Sequence, residues 1–515
     1  MDSAPRLALC QARFLMRNVR TRMPFKYGAA TLTSVPILHL VAEVEVEGRG
    51  RATGAAADIL PPKWFDKDPA KSYQDNVEDL VWAARRAAAL FADLSRRPRS
   101  LFALWREAGA ALLAEGDRRG PSAHKEITAT LPGSRNDQQR PVDSGDLVRG
   151  LNHLTSNHGA SLLERALTDG LGKALGQSYH TLLKTNAPGA DLGALHPELR
   201  GVAPFRCIAP QPLDSLHVRH TVGLADPIRS ADIPPGERLA DGLPQSLEEY
   251  AQVQQLSYFK VKVSGRLEAD LDRLRAIASL LDATGAPYHL SLDGNEQYRE
   301  MESFLELLRR IEADPALGRF WASTLYIEQP LERGLALEPS LAPGIRAAGE
   351  RKPLLIDESD GDLDSFRRAI DLGYLGVSAK NCKGLIKAVA NQGLARHFSA
   401  AQGRPFFLTG EDLMNLPVVP LQQDLTQLAA LGIPHAERNG HHYVRGLDHL
   451  SPAERRSCAQ VHGTLYAPLG DSLALAIRQG RIDLSSLQCP GLGVGVEVDA
   501  ASMVPLEEWK FESLA

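Results

Sequence analysis

From residue 214 to 438 of this 515-residue chain, short apolar runs alternate with amphipathic stretches, and the apolar runs end in charged residues. Lys260 and Lys262 sit in YFKVKVSG, Asp293 in HLSLDGNEQY, Glu328 in LYIEQPL, Asp357 in PLLIDES and Lys380 in LGVSAKNCKG. The gaps between Lys262, Asp293, Glu328, Asp357 and Lys380 are 31, 35, 29 and 23 residues. Each is about the length of one strand plus one helix. One carboxylate at the end of a buried strand would be an oddity. Three at the ends of consecutive strands, flanked by lysines, describe a site. A parallel barrel brings strand ends to one mouth, where residues distant in sequence meet.

The rest of the pattern agrees. SLHVRHTVGL, YFKVKV, YHLSLD, TLYIEQ, PLLIDE, YLGVSA, RPFFLTG and IPHAER read as strands, with helical patterns such as RLEADLDRLRAIASLL and LIKAVANQGLARHFSAA between them. Eight strands in this rhythm over about 250 residues predict an α/β chain with a (β/α)₈ barrel, placed at 210–462. Residues 36–47 partly alternate apolar and polar and lead into EGRGRATG, which predicts a hairpin. Residues 75–95 and 160–175 have helical spacing, the latter closed by Gly176. Residues 1–200 therefore read as an α+β domain. Within it, 116–147 is rich in Gly, Pro, Ser and charge, and reads as a long surface excursion, either a solvated linker or an active-site lid. The tail, 463–515, is expected to pack back on the N-terminal domain.

Composition narrows the function classes. A net charge of -5 gives no basic surface for nucleic acid. No apolar run approaches the roughly 20 residues of a membrane span, and MDSAPRLALCQARFLMRNVR has no long apolar segment of a secretory signal. Cys10, Cys207, Cys382, Cys458 and Cys489 are odd in number and scattered, without a CxxC pair. The expectation is a cytoplasmic protein without structural disulfides or zinc.

Three carboxylates at one mouth repel each other unless a cation lies between them. Hard oxygen donors with open positions suit Mg²⁺, which makes Asp293, Glu328 and Asp357 candidate metal ligands. Each carboxylate taken singly also suits an ion pair with a neighbouring strand's lysine, or a cap on the following helix. In a strand, residues i and i+2 share a face, so Lys260 and Lys262 both point into the barrel. A buried ammonium is costly unless paired or working. Beside a dication its pKa is expected to fall, which makes it a usable base. Lys380, four units on, lies across the ring from Lys262. Two lysines facing each other across a carbon acid are what a two-sided proton transfer needs.

With these motifs in place, the chain resembles the enolase superfamily, and within it the muconate-lactonizing-enzyme and mandelate-racemase-like branch that includes dipeptide epimerases. The matching stretches are KVK at 260–262, DGN at 293–295, IEQP at 327–330, DES at 357–359 and SAK at 378–380. MPFKYGAATLTSVPILHLVAEVEVEGRGRATG, ALTDGLGKALG and the terminal GLGVGVEVD resemble the same family's capping segments. The resemblance implies an N-terminal capping domain on a modified barrel, with Mg²⁺ on Asp293, Glu328 and Asp357. It also implies that the metal binds a small-molecule carboxylate substrate and stabilises its enediolate. Lys262 and Lys380 would be the acid/base pair, and Lys260 would help neutralise the enolate. The loops around Phe25–Tyr27 and Pro61–Trp64 resemble specificity loops, which makes Tyr27 and Trp64 candidate substrate contacts; domain-interface packing is the alternative. A homo-oligomer is also implied.

The chain departs from this pattern in places. After Lys380 stands NCKGL, with only Gly384 where the branch usually has a Gly-Gly pair. The seventh strand ends in Glu411-Asp412, where other branches place a histidine. Glu411 and Glu437 could hydrogen-bond substrate, or cap a helix. His441-His442 reads as loop surface. Racemisation or epimerisation is the simplest outcome of a two-lysine site. Acid-sugar dehydration and cycloisomerisation use the same parts, and a Schiff-base aldolase on Lys380 or a non-catalytic binding protein are the rival classes.

Overall fold

Period-2 patterning builds the first sheet. The computed structural model describes residues 4–27, 30–119 and 150–515; the excursion from residue 120 onward lies outside the described residues. β1 (Leu7–Tyr27), β2 (Ala30–Val46) and β3 (Gly50–Ile59) form an antiparallel meander. The β2–β3 turn falls at the start of the expected turn EGRGRATG, whose residues from Gly50 on belong to β3; in the turn Gly48 takes the left-handed φ of 70° that suits a residue without a side chain. β1 was not evident in the sequence. Register shifts between Leu9 and Gln11 and between Arg20 and Phe25 break its alternation.

Two helices, α1 (Tyr73–Leu94) and α3 (His153–Leu175), pack on the sheet, and α2 (Leu101–Gly116) packs against both of them. α1 starts at a capping box between Ser72 and Asp75 and buries Val77, Leu80, Ala84, Ala87 and Phe91, the stripe its periodicity predicts. α3 begins seven residues before the expected 160 and ends at Gly176, as expected. It lies almost in contact with β3. A Cβ on Gly54 would fall 2.0 Å from the Ala166 carbonyl oxygen, so only glycine fits there.

The second unit is a closed barrel of eight parallel strands, β4 (Ser215–Val222), β5 (Tyr258–Lys262), β6 (His289–Asp293), β7 (Thr324–Glu328), β8 (Leu354–Ile356), β9 (Gly376–Ala379), β10 (Phe407–Gly410) and β11 (His435–Arg438). Pairing of β11 with β4 closes the ring. All eight expected strands are present, each followed by a connection that carries at least one helix. In β5, Phe259 and Val261 pack outward against the helices, while Lys260 and Lys262 point in. The interior is polar, not filled by the branched apolar side chains usual for such barrels. Arg219 of β4 contacts Tyr326, His435 and Glu411.

The tail touches both units. After a hairpin of β12 (Tyr466–Leu469) and β13 (Ser472–Leu475), β14 (Arg481–Asp483) pairs antiparallel with the start of β4. β15 (Val504–Pro505) then pairs with β1. One continuous apolar core runs through sheet, helices and barrel. All five cysteines are free. Among the described residues, no helix is long and apolar enough to cross a membrane.

Candidate active site

The strand ends converge as the spacing requires. Lys262, Asp293 and Glu328 are ladder partners across β5, β6 and β7, and Asp357 directly follows β8. All are buried. Lys262 Nζ donates to Asp293 Oδ2 at 2.5 Å and Lys380 Nζ to Asp357 Oδ2 at 2.6 Å. Lys260 Nζ stands among four carboxylates, 2.7–2.9 Å from oxygens of Asp293, Glu328, Glu411 and Glu437.

This pairing fixes the charges. Burial opposes ionisation of Asp293, but Lys260 and Lys262 outweigh it and hold the carboxyl below its ordinary range. Burial likewise opposes Asp357 and is outweighed by Lys380 and Lys383. Glu328 goes the other way: burial, then the charges of Asp293 and Glu411, push it well above the carboxylate range. Burial lowers Lys380, but Asp357 outweighs it and holds the ammonium above its ordinary value.

Glu328 is the residue that most needs a cation. It is completely buried, and neither oxygen makes a hydrogen bond. Lys260 lies 2.7 Å from Oε2 but off the hydrogen-bonding direction, so that contact is one of charge alone. In donor type and charge, Asp293, Glu328 and Asp357 fit a hard dication such as Mg²⁺. In this arrangement Asp293 and Glu328 close on Lys260, whereas Asp357 closes on Lys380 and Lys383. Among the described residues, no three His, Cys, Asp or Glu side chains are drawn together as a ready metal cage.

A small cavity of about 40 Å³ opens above the strand ends. Lys260, Lys262, Lys380 and Glu437 line its floor, and Tyr27 and Trp64 belong to its roof. Lys380 Nζ lies 4.3 Å from the centre of the Trp64 ring, a cation–π contact. Glu411 does not line the cavity. It sits beneath Lys260, with its oxygens taken by Arg219 and Lys260, so the expected contact to substrate is corrected to a support for Lys260. Glu437 accepts from Thr221, Asn439, Lys260 and the Asp412 amide, which leaves it held in place. The His441-His442 pair is also corrected. These rings pack inward against His220 and Tyr250, contributed by distant elements, and His442 is buried.

Several residues escaped the sequence reading. Gln329 accepts from the Asp357 and Ser359 amides and donates to Leu331 and Ser359, which ties the ends of β7 and β8 together. Lys383 donates to Asp357 Oδ1 and Ser378 Oγ. Both were visible in IEQP and SAKNCKG. Arg333 joins Glu296 to the backbone carbonyls of Trp64 and Phe65, pinning the roof loop to the barrel. This link spans two units and has no local signature.

Glu164 of α3 is another such residue. It is fully buried and accepts from the amides of Leu385 (3.0 Å) and Ile386 (2.7 Å), the first turn of the helix Leu385–Gln402 that follows Lys380. Nearby, Ser161 donates to the Asn381 carbonyl. Burial raises the Glu164 carboxyl to about 7, against the pull of those amides and Arg165. The folded pKa lies above the unfolded one, so the fold loses stability as pH rises from the ordinary glutamate value to about 7. Glu164→Gln keeps an acceptor without the charge. It should therefore gain on the order of 3 kcal/mol over the wild type between pH 4 and pH 8, read from melting curves at the two pH values. A pH-independent difference would contradict this.

No family model matches the chain, and no curated protein matches it. Solved structures do. A mandelate racemase/muconate lactonizing protein from Herpetosiphon aurantiacus aligns over 95% of this chain and 99% of its own, with 14% identity and a TM-score of 0.57. An N-succinyl Arg/Lys racemase from Bacillus cereus aligns over 96% of each chain at 16% identity, TM-score 0.56. A 2-chloromuconate cycloisomerase from Rhodococcus opacus aligns over 96% and 98% at 13% identity, TM-score 0.55. At these identities the likeness is one of architecture. The chain has the fold of the mandelate racemase/muconate lactonizing proteins, a closed eight-stranded parallel barrel under an N-terminal antiparallel cap.

Proposed function

We propose that the chain is a Mg²⁺-dependent enzyme of the enolase superfamily that removes the proton α to a carboxylate, with racemisation or epimerisation as the outcome. The observation that carries this reading is the pair Lys262 and Lys380, two buried ammoniums that line one cavity, each anchored by a separate carboxylate. Asp293, Glu328 and Asp357 would hold the dication. When bound, it supplies positive charge that stabilises the negative charge developing on the substrate carboxylate. Lys262 takes or returns the α-proton on one side and Lys380 on the other. Lys260, held by Glu411 and Glu437, keeps the floor cationic. The roof of Tyr27 and Trp64 excludes water.

A Schiff-base aldolase would use Lys380 without a metal, and two reagents separate the readings. Turnover should be lost in EDTA and restored by Mg²⁺, with no covalent adduct on Lys380 after borohydride. EDTA-resistant turnover with borohydride trapping on Lys380 would overturn the proposal.

A further inference from the structure

The cavity has two chemically distinct halves. Its floor and barrel side carry Lys262, Lys380, Asn295 and Asn439. The Asn295 and Asn439 Oδ1 atoms are buried without partners, while their amide nitrogens donate to Glu358 and Glu437. Those carboxylate partners fix the amide orientation; the Oδ1 atoms are acceptors, so a ligand carboxylate is left to the ammoniums of Lys262 and Lys380. The opposite wall comes from the cap and the loop after β10, chiefly Phe25, Leu32, Ile59, Trp64, Leu413 and Met414, all buried.

That wall has little to offer a polar group. Asp412, which also lines the cavity from the loop after β10, is spent on the Asn415 and Asn439 amides and on Arg438. The Tyr27 hydroxyl is spent on the Pro62 carbonyl at 2.8 Å. Lys63 turns away, to the carbonyls of Asp68 and Lys71. Lys67 is taken by Glu296 and the Asn295 carbonyl. Asp58 is buried against Arg165 and His158. Among the described residues lining the cap side, this leaves the indole N–H of Trp64. Hydroxyls or a second charge placed there would lose water without gaining partners. An alkyl or aryl group would gain the full benefit of leaving water.

We propose that the ligand of this site is a small monocarboxylate with an apolar alkyl or aryl group on its α-carbon, and that the cap wall rejects acid sugars and carboxylates with a charged far end. The carboxylate faces the floor and the apolar group faces Phe25, Leu32 and Ile59. This rests on the proposed reading of the floor as a carboxylate site, and it names the class of carboxylate that site takes.

The test is calorimetric titration of the full chain in saturating Mg²⁺ with three probes: 2-phenylpropionate, gluconate and glutarate. Binding of 2-phenylpropionate should be at least about tenfold tighter than either other probe, the effect of about two buried methylene groups. Equal or tighter binding of gluconate or glutarate overturns the proposal, as does absence of binding by all three. A variant read alongside is Ile59→Lys, which should shift the preference toward glutarate; the wild-type ranking decides the matter if that variant does not fold. Loss of the α-proton of 2-phenylpropionate to D₂O is followed in the same samples. Binding with the expected ranking but without exchange would sink the proposed reaction and leave the ligand class standing.

Discussion

Replacing Lys262 by alanine is expected to stop α-proton exchange from one enantiomer of the substrate, and replacing Lys380 to stop it from the other. The fold should survive both changes. Without Lys262, Asp293 keeps Lys260 at 2.9 Å. Without Lys380, Asp357 keeps Lys383 at 2.8 Å and the Ser378 hydroxyl. The losses are therefore chemical. Removing a positioned acid/base group costs roughly 10²–10⁴-fold, and racemisation needs both groups, so each variant should fall at least about a thousandfold in turnover. Enantiomer-resolved exchange in D₂O is the readout, because a variant that merely loosens the site would slow both enantiomers alike. Equal exchange of both enantiomers in both variants would rule out the two-base mechanism.

The second large effect concerns Glu328. Glu328→Gln should weaken Mg²⁺ binding at least about a hundredfold, more than the loss of a supporting residue around a metal site costs, and turnover should fall with it. The same change should make the metal-free protein more stable. In the wild type, a buried carboxylate with no hydrogen bond stands beside Asp293 and Glu411. Folding must either bury that charge or, with the carboxyl pushed well above its ordinary range, take up a proton to suppress it; an amide of the same shape needs neither, and relief of this kind is on the order of 1–3 kcal/mol. Melting curves with and without Mg²⁺ measure both effects. A variant that keeps full Mg²⁺ stabilisation, or melts well below the wild type without metal, would show that Glu328 does not serve the metal. Stability held below its optimum for the sake of activity is the pattern expected of such a residue.

Much of this site is legible in the chain because a barrel converts strand position into site position. Alternation in YFKVKV sets Lys260 and Lys262 on one face. The strand-plus-helix rhythm brings Lys262, Asp293, Glu328, Asp357 and Lys380 to one mouth. What escaped the sequence has physical reasons. Bulges in β1 interrupt its period-2 signal. His441 and His442 look solvent-facing because their cover, His220 and Tyr250, lies about two hundred residues upstream in the chain. Glu411 ends its strand like a ligand, but Arg219 of β4 reaches across the ring and claims it. Glu164 and Arg333 act between the cap and the barrel, where only folding makes them neighbours. The helix Leu101–Gly116 was not read from the sequence, although Leu101, Leu104, Trp105, Ala108 and Leu112 share one buried face.

The measurement that bears most directly on the account is α-proton exchange by the wild-type protein in D₂O, followed by NMR with Mg²⁺ and with EDTA, across N-acyl amino acids, dipeptides, acid sugars and simple 2-aryl and 2-alkyl carboxylates. The account predicts Mg²⁺-dependent deuterium incorporation at the α-carbon with inversion of configuration, silenced by EDTA. Exchange that proceeds equally in EDTA, or a protein that turns over a carboxylate without touching its α-proton, would contradict it.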